Sequence, residues 1–352
     1  MLVREVNWLG DLVMAGPALR AVRDAYPEAY LAVMVRRELA GFFDGIDWVD
    51  EVIGFSFRRG FRGVADRMRI VAQLRRELFD LAVIFPASFE SALIAAIAGI
   101  RRRAGWASDG RGILLTDRAA RRRDPRAHQS NEWLAMVRET LGIETGPCDF
   151  VLLSRGETRT AMRDWIAKRR RRGDAPLIAI APVAAYGPAK EWPAERYSAL
   201  IDLIADKYGA ECLLIGAPGD REACERIARA SQAGAIIAAG ETSVGELIAL
   251  LGICGGFAGN DSGAMHLAAA LGIPTVGIFG STNPIRTGPA GARARIIYRA
   301  IECSPCLERT CRFGHYNCLK PIEPAEVAAA LGALGAFERN GGASADVKDN
   351  KL

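Results

Sequence analysis

Neither half of the sequence opens with a Gly-x-Gly-x-x-Gly turn, and no Walker loop occurs. Both absences argue against a dinucleotide oxidoreductase and against an NTPase. No Asp-x-Asp pair stands at the end of a strand-like run, so no metal is expected at the site of chemistry. Long apolar runs are missing too. The most apolar window, 81–100, contains Pro86 and Glu90 and reads as strand, loop and helix rather than a bilayer span. No basic n-region with an apolar core and cleavage site opens the chain, so a cytoplasmic location is expected. The dense basic runs 101–103, 121–123 and 168–172 lack interleaved aromatics or a known binding motif. They read as solvated helix ends and loops, and no nucleic acid partner is expected.

What is present is the balance of a soluble globular protein, with half of the 352 residues hydrophobic and a quarter charged. The length suits two domains, each able to bury a core. Apolar runs at 2–6, 31–35, 51–54 and 81–85 read as strands, with helices over about 10–25, 61–78 and 88–98. The pattern recurs at 177–181, 211–215, 235–238, 255–258 and 275–279, with helices starting near Pro193, Gly219, Ser243 and Asp261. Such alternation predicts α/β architecture, a parallel sheet in each half with helices on both faces. The basic, Gly-Asp-Ala-ending stretch 168–175 before Pro176 reads as the linker. The tail 340–352 is small and polar and is expected to be disordered.

The densest motif is Gly259-Asn260-Asp261-Ser262-Gly263-Ala264-Met265-His266, closed by Gly272 and Pro274. It reads as a strand end, a tight turn and a short helix. Asp261 or Ser262 is placed to cap that helix, and Gly263 to admit a close approach to the backbone. The free amides at its start suit a phosphate. Taken alone, the turn reads better as an ordinary βαβ connection whose Asp merely caps. Asp11 directly follows Gly10 at the end of the first strand, the edge where open α/β sheets collect ligands. A carboxylate there can cap a helix or act as a general base. Lys190 follows Tyr186-Gly187-Pro188-Ala189 after the first strand of the second half. It is a surface lysine or a cation for a departing diphosphate. Asp220 and Glu222, after the strand ending at Ile215, are candidates for holding ribose hydroxyls.

These blocks occur together with Trp8-Leu9-Gly10-Asp11, Pro86-Ala87-Ser88-Phe89-Glu90-Ser91-Ala92 and Gly187-Pro188-Ala189-Lys190-Glu191-Trp192-Pro193. In this order and spacing the chain, to about residue 331, resembles the glycosyltransferase family 9 heptosyltransferases. It is most similar to their heptosyltransferase II branch. The resemblance implies a GT-B fold, two Rossmann-like doubly wound domains facing across a cleft. It implies an acceptor-binding domain over 1–167 and a nucleotide-sugar-binding domain over 176–322, with helix 323–338 returning to the first. The implied reaction is inverting heptose transfer from ADP-heptose to an inner-core heptose of lipopolysaccharide. Asp11 would be the base, and Lys190 with the turn Asp261–His266 (Ser262, Gly263, Ala264 and Met265 through their amides) would seat the diphosphate. No cofactor is implied. The acceptor would be a lipid A-core oligosaccharide, met at the inner membrane face, where basic surface favours encounter. Arg58, Arg59, Arg62 and Arg101 are candidate acceptor contacts. A transferase of another core position or another nucleotide sugar is the near alternative.

Cysteine supports a reading of another class. Cys303, Cys306, Cys311 and Cys318 crowd together with His315, a spacing that fits tetrahedral zinc. A non-catalytic or redox metal-binding protein built on that cluster is the alternative. Cys148, Cys212, Cys224 and Cys254 read as core thiols.

Overall fold

A computed structural model of the chain describes residues 1–145 and 150–338. The expected disorder of 340–352 and the placement of Cys148 lie outside the described residues. Among the described residues twelve strands form two sheets. β1 (Leu2–Arg4), β2 (Ala32–Arg36), β3 (Glu51–Phe55), β4 (Leu81–Ile84), β5 (Arg102–Trp106) and β6 (Asp117–Ala119) make the first, in the order β3-β2-β1-β4-β5-β6. β7 (Leu177–Ala181), β8 (Glu211–Leu214), β9 (Ile236–Ile237), β10 (Gly256–Asn260), β11 (Thr275–Phe279) and β12 (Ala294–Tyr298) make the second, β12-β11-β10-β7-β8-β9. Every pairing is parallel. Between strands run α1 (Leu9–Ala25), α2 (Phe61–Arg76), α3 (Phe89–Ile97), α4 (Ser130–Leu141), α5 (Gly156–Ala167) and α6 (Ala194–Tyr208). Then come α7 (Arg221–Ala230), α8 (Val244–Leu251), α9 (Gly263–Ala270), α10 (Pro284–Thr287) and α11 (Pro324–Ala333). None of the described helices is long and apolar enough to cross a membrane.

Strand order decides where the site falls. Each sheet reverses direction once, between β1 and β4 in the first and between β7 and β10 in the second. At such a reversal neighbouring connections leave on opposite faces and open a crevice at the carboxyl edge. Asp11 follows β1, Lys190 follows β7 and Asp261 follows β10, so all three stand at those crevices. Arg101 does not. It immediately precedes β5 and therefore lies at the opposite edge, which removes it as an acceptor contact.

Other departures have local causes. The run 101–103 is not a solvated loop. Arg102 and Arg103 open β5, with Arg102 paired to Asp117 at 3.0 Å and the Arg103 guanidinium donating to Leu114 O and Ile100 O. The basic stretch after α5 is tied to the second half. Glu211 accepts from Arg170 Nε at 3.0 Å and from the Arg171 amide at 2.7 Å. Helix α11 does not return to the first half: Val327, Ala328 and Leu331 are buried in the second half's core with Ile201 and Ile204. Beyond it Phe337 stacks on Tyr208, ring centroids 3.8 Å apart. The apolar face of α11 completes a core that β10, β11 and α6 leave open.

Glu5, just after β1, is 1% exposed. Its Oε2 accepts the Val6 amide at 3.3 Å, while Oε1 has no partner among the described residues. Burial pushes its carboxyl up to about 8, against the smaller opposing effects of that amide and Arg4. Below about pH 4.5 both folded and unfolded chains carry the proton. Between there and about 8 only the folded chain does, so stability falls as pH rises through that window. Glu5→Gln is therefore expected to raise stability at pH 8 by on the order of 3 kcal/mol. The gain should vanish near pH 4.5, as read from melting midpoints across the range.

Candidate active site

The two halves meet where α1 and α9 begin. A Cβ built on Gly263 would stand 2.9 Å from Leu9 Cβ and 3.2 Å from the Gly10 amide nitrogen. One built on Gly10 would stand 3.1 Å from His266 Cδ2. Gly263 thus does admit a close approach, but the approaching group is the chain's own α1. Two glycines facing each other let the carboxyl edges of both sheets come within reach. Gly263→Ala must push α1 and α9 apart by some tenths of an ångström. We expect kcat/KM to fall by about tenfold with little loss of melting temperature, since a shift near 1 Å costs about a hundredfold.

A second seam brings a residue that sequence reasoning missed. Residues 124–129 of the first half are stitched to 283–288 of the second. Arg286 donates to Asp124 O at 2.9 Å, the Gln129 amide to Arg286 O at 3.0 Å and Asn283 Nδ2 to Pro125 O at 3.0 Å. His128 Nε2 lies 3.1 Å from Gly288 O. This seam holds Gln129 so that its Nε2 donates to Asp11 Oδ1 at 3.2 Å. Nothing in the sequence near Gln129 signals that contact, which is made across the fold.

Asp11 is half-buried in the first turn of α1, and its carboxylate does not cap the helix. Burial raises its pKa above the ordinary carboxylate value. The Gln129 hydrogen bond and the positive fields of Arg121 and Lys190 oppose the rise, and Asp261 adds slightly to it. Opposite it, Lys190 Nζ is 2.6 Å from Asp261 Oδ2 and 4.8 Å from the Tyr186 ring centroid. The same Oδ2 accepts from Thr282 Oγ1 at 2.7 Å and Thr287 Oγ1 at 3.1 Å. These two threonines, also not anticipated, replace the capping role expected of Asp261. Ser262 occupies the N-cap of α9 but its hydroxyl is buried and without a partner among the described residues. The first amides of α9 therefore receive no side-chain cap, and a helix start in that condition attracts anions.

Met265 is turned into the core, where a Cβ on Gly277 would meet its Sδ at 2.6 Å. With Ala264 it offers only backbone. His266 is 4% exposed, and burial holds its pKa down to about 4 despite Asp261. At neutral pH its ring is uncharged, so the 3.9 Å separation from Asp261 Oδ1 is not an ion pair. The ribose candidates stand apart from this group. Asp220 Oδ2 accepts its own loop's Ala217 amide at 2.8 Å, and Glu222 points to solvent beside Arg226.

The Lys190 loop is braced from two sides. Buried Asn260 accepts the Trp192 amide at 3.0 Å and the Tyr197 hydroxyl at 2.8 Å, and donates to Pro182 O at 2.8 Å. From the cysteine-rich segment, Arg309 O accepts the Ala189 amide at 3.0 Å and Leu307 O accepts the Tyr186 hydroxyl. Cys303, Cys306, Cys311, Cys318 and His315 line one small cavity behind that loop. Among the described residues no three His, Cys, Asp or Glu side chains stand at the spacing of metal ligands.

The sequence model of glycosyltransferase family 9 (heptosyltransferase) matches residues 67–317. The chain is 30% identical to lipopolysaccharide heptosyltransferase 2 of Escherichia coli, over 95% of this chain and 98% of that one. It is also 30% identical to lipooligosaccharide heptosyltransferase 2 of Haemophilus ducreyi, over 95% and 99%. The solved structure of E. coli ADP-heptose lps heptosyltransferase II superposes with a TM-score of 0.81 at 28% identity, covering 95% of this chain and 97% of that one.

Proposed function

The chain belongs to glycosyltransferase family 9, and from that premise we propose that it moves heptose from ADP-heptose to a heptose of the lipopolysaccharide inner core. Its two parallel sheets are the two Rossmann-like halves of a GT-B transferase. The observation that carries the catalytic reading is the convergence of one half-buried carboxylate, Asp11, with one ammonium, Lys190, from opposite halves. Asp11 takes the proton of the attacking acceptor hydroxyl. The acceptor oxygen bonds to the anomeric carbon as the bond to the diphosphate oxygen breaks, with inversion. Lys190 and the start of α9 receive the charge that grows on the departing ADP. The first half takes the acceptor and the second the donor. His266, neutral and buried, positions the junction rather than supplying charge. The work is done in the cytoplasm, on an acceptor anchored at the inner membrane face.

The test is ADP release from ADP-heptose with truncated core acceptors bearing no heptose or one. Release that requires the monoheptosylated acceptor supports the second-heptose assignment. Release with the heptose-free acceptor moves the enzyme to the first position. No release with either, from folded protein that binds ADP, overturns the acceptor class.

A further inference from the structure

Helix α2 is apolar on two faces. Gly63, Asp66, Ile70, Val71 and Leu74 are buried against the first half. On the other side Phe61, Val64 and Met68 are 91%, 55% and 52% exposed, with Ala65 and Ala72 completing the stripe. The spacing i, i+3, i+4, i+7, i+11 keeps these five on one side of a helix. Arg62, Arg69 and Arg76, all exposed and seven residues apart, form a column along one flank. The one acid of the helix, Asp66, is buried and neutralised by Arg58 at 2.6 Å and Arg69 at 3.1 Å. The outward face therefore carries apolar surface and positive charge, and no negative charge.

We propose that this face of α2 docks the enzyme on an anionic lipid bilayer. A helix with an apolar stripe beside arginines lies in the interface with its apolar side in the acyl boundary, the guanidinium groups reaching the headgroup phosphates. A second copy of the chain is the poorer occupant, because its α2 brings the same excess of arginine and no exposed acid. Topology adds an independent argument. α2 leaves the carboxyl end of β3, so Phe61 stands at the same edge of the first sheet as Asp11. Trp8 after β1, Phe89 after β4 and Ile113 after β5 are exposed at that edge too. A bilayer met by α2 thus lies beside the rim of the site, where a lipid-anchored acceptor has only its sugars to extend. The identity of that acceptor rests on the function proposed above; the docking surface does not.

The experiment is co-sedimentation of the full chain with phosphatidylethanolamine vesicles containing phosphatidylglycerol, against phosphatidylcholine vesicles. Binding should favour the anionic vesicles and weaken as salt rises. Phe61→Ser/Val64→Ser/Met68→Ser should lower partitioning by at least about tenfold. Arg76→Gln should lower it about fivefold, with a melting midpoint near wild type. Both variants should keep wild-type turnover on a soluble, delipidated acceptor and lower it on a vesicle-embedded one. Wild type that ignores anionic vesicles, or variants that bind as wild type does, overturn the proposal. So does lipid-free self-association that the triple serine variant disperses. Vesicle binding is read without sugar transfer, so its failure and the failure of the transferase reading are separately visible.

Discussion

Asp11→Asn is expected to lower kcat by about a thousandfold while ADP affinity stays within about twofold of wild type. The magnitude is that of removing a positioned general base. Binding should persist because Asp11 leaves from the first half, whereas Lys190 and the start of α9 belong to the second. The base reading makes a further demand that a helix-capping role would not. Burial holds the Asp11 carboxyl above the ordinary value, and only its ionised form can accept a proton. The profile of kcat/KM against pH should therefore have an acid limb displaced upward from the usual carboxylate range. Gln129 favours the ionised form by donating to Oδ1, so Gln129→Leu should move that limb to higher pH and leave the plateau nearly unchanged. A flat profile in wild type, or Asp11→Asn with most of its turnover, would remove Asp11 from the chemistry.

The parts of this molecule that follow a local rule were legible in its sequence. Apolar runs such as 177–181 and 275–279 are buried strands on both faces, and Ser243 with Glu246 forms the capping box that starts α8. The residues at strand ends, Asp11, Lys190 and Asp261, stand where parallel sheets put ligands, and the family resemblance is what raised them above caps and a surface lysine. What escaped depends on contacts across the fold. β5 opens on two arginines whose strand conformation is secured by Asp117, 15 positions on, and by the Leu114 carbonyl, 11 positions on. The side to which α11 returns was decided by which core had room for Val327 and Leu331. Asp261 looked like a cap because capping is local, and Thr282 and Thr287, which hold it instead, stand before α10 and at its end, more than twenty residues away. Gln129 reaches Asp11 from 118 positions along the chain, through a seam between halves.

Lys190→Met should be the second large loss, about a hundredfold or more in kcat, with a smaller rise in the KM for donor. The asymmetry follows from when the charge appears. A bound nucleotide sugar already carries its phosphate charges, but the oxygen that leaves the anomeric carbon gains its charge only as the bond breaks, and a cation fixed there acts mostly on the transition state. Lys190 is fixed. Asp261 holds its Nζ at 2.6 Å, the Tyr186 ring lies under it, and its side chain is 13% exposed. Lys190→Arg should recover little, because the longer guanidinium spreads its charge over a planar fork and does not set a compact point charge where the Lys190 ammonium stands. Asp261→Asn separates the two members of the pair. It leaves the ammonium short of a counter-charge, and breaking a buried pair from one side costs about 3 kcal/mol or more. The ligand-free variant should melt below wild type. ADP then supplies the missing negative charge, so its stabilisation of Asp261→Asn should exceed its stabilisation of wild type. If Lys190 served only to neutralise Asp261, Lys190→Met would lower the melting midpoint as much and spare kcat. Loss of turnover with ADP affinity largely kept is the outcome that assigns the ammonium to the leaving group.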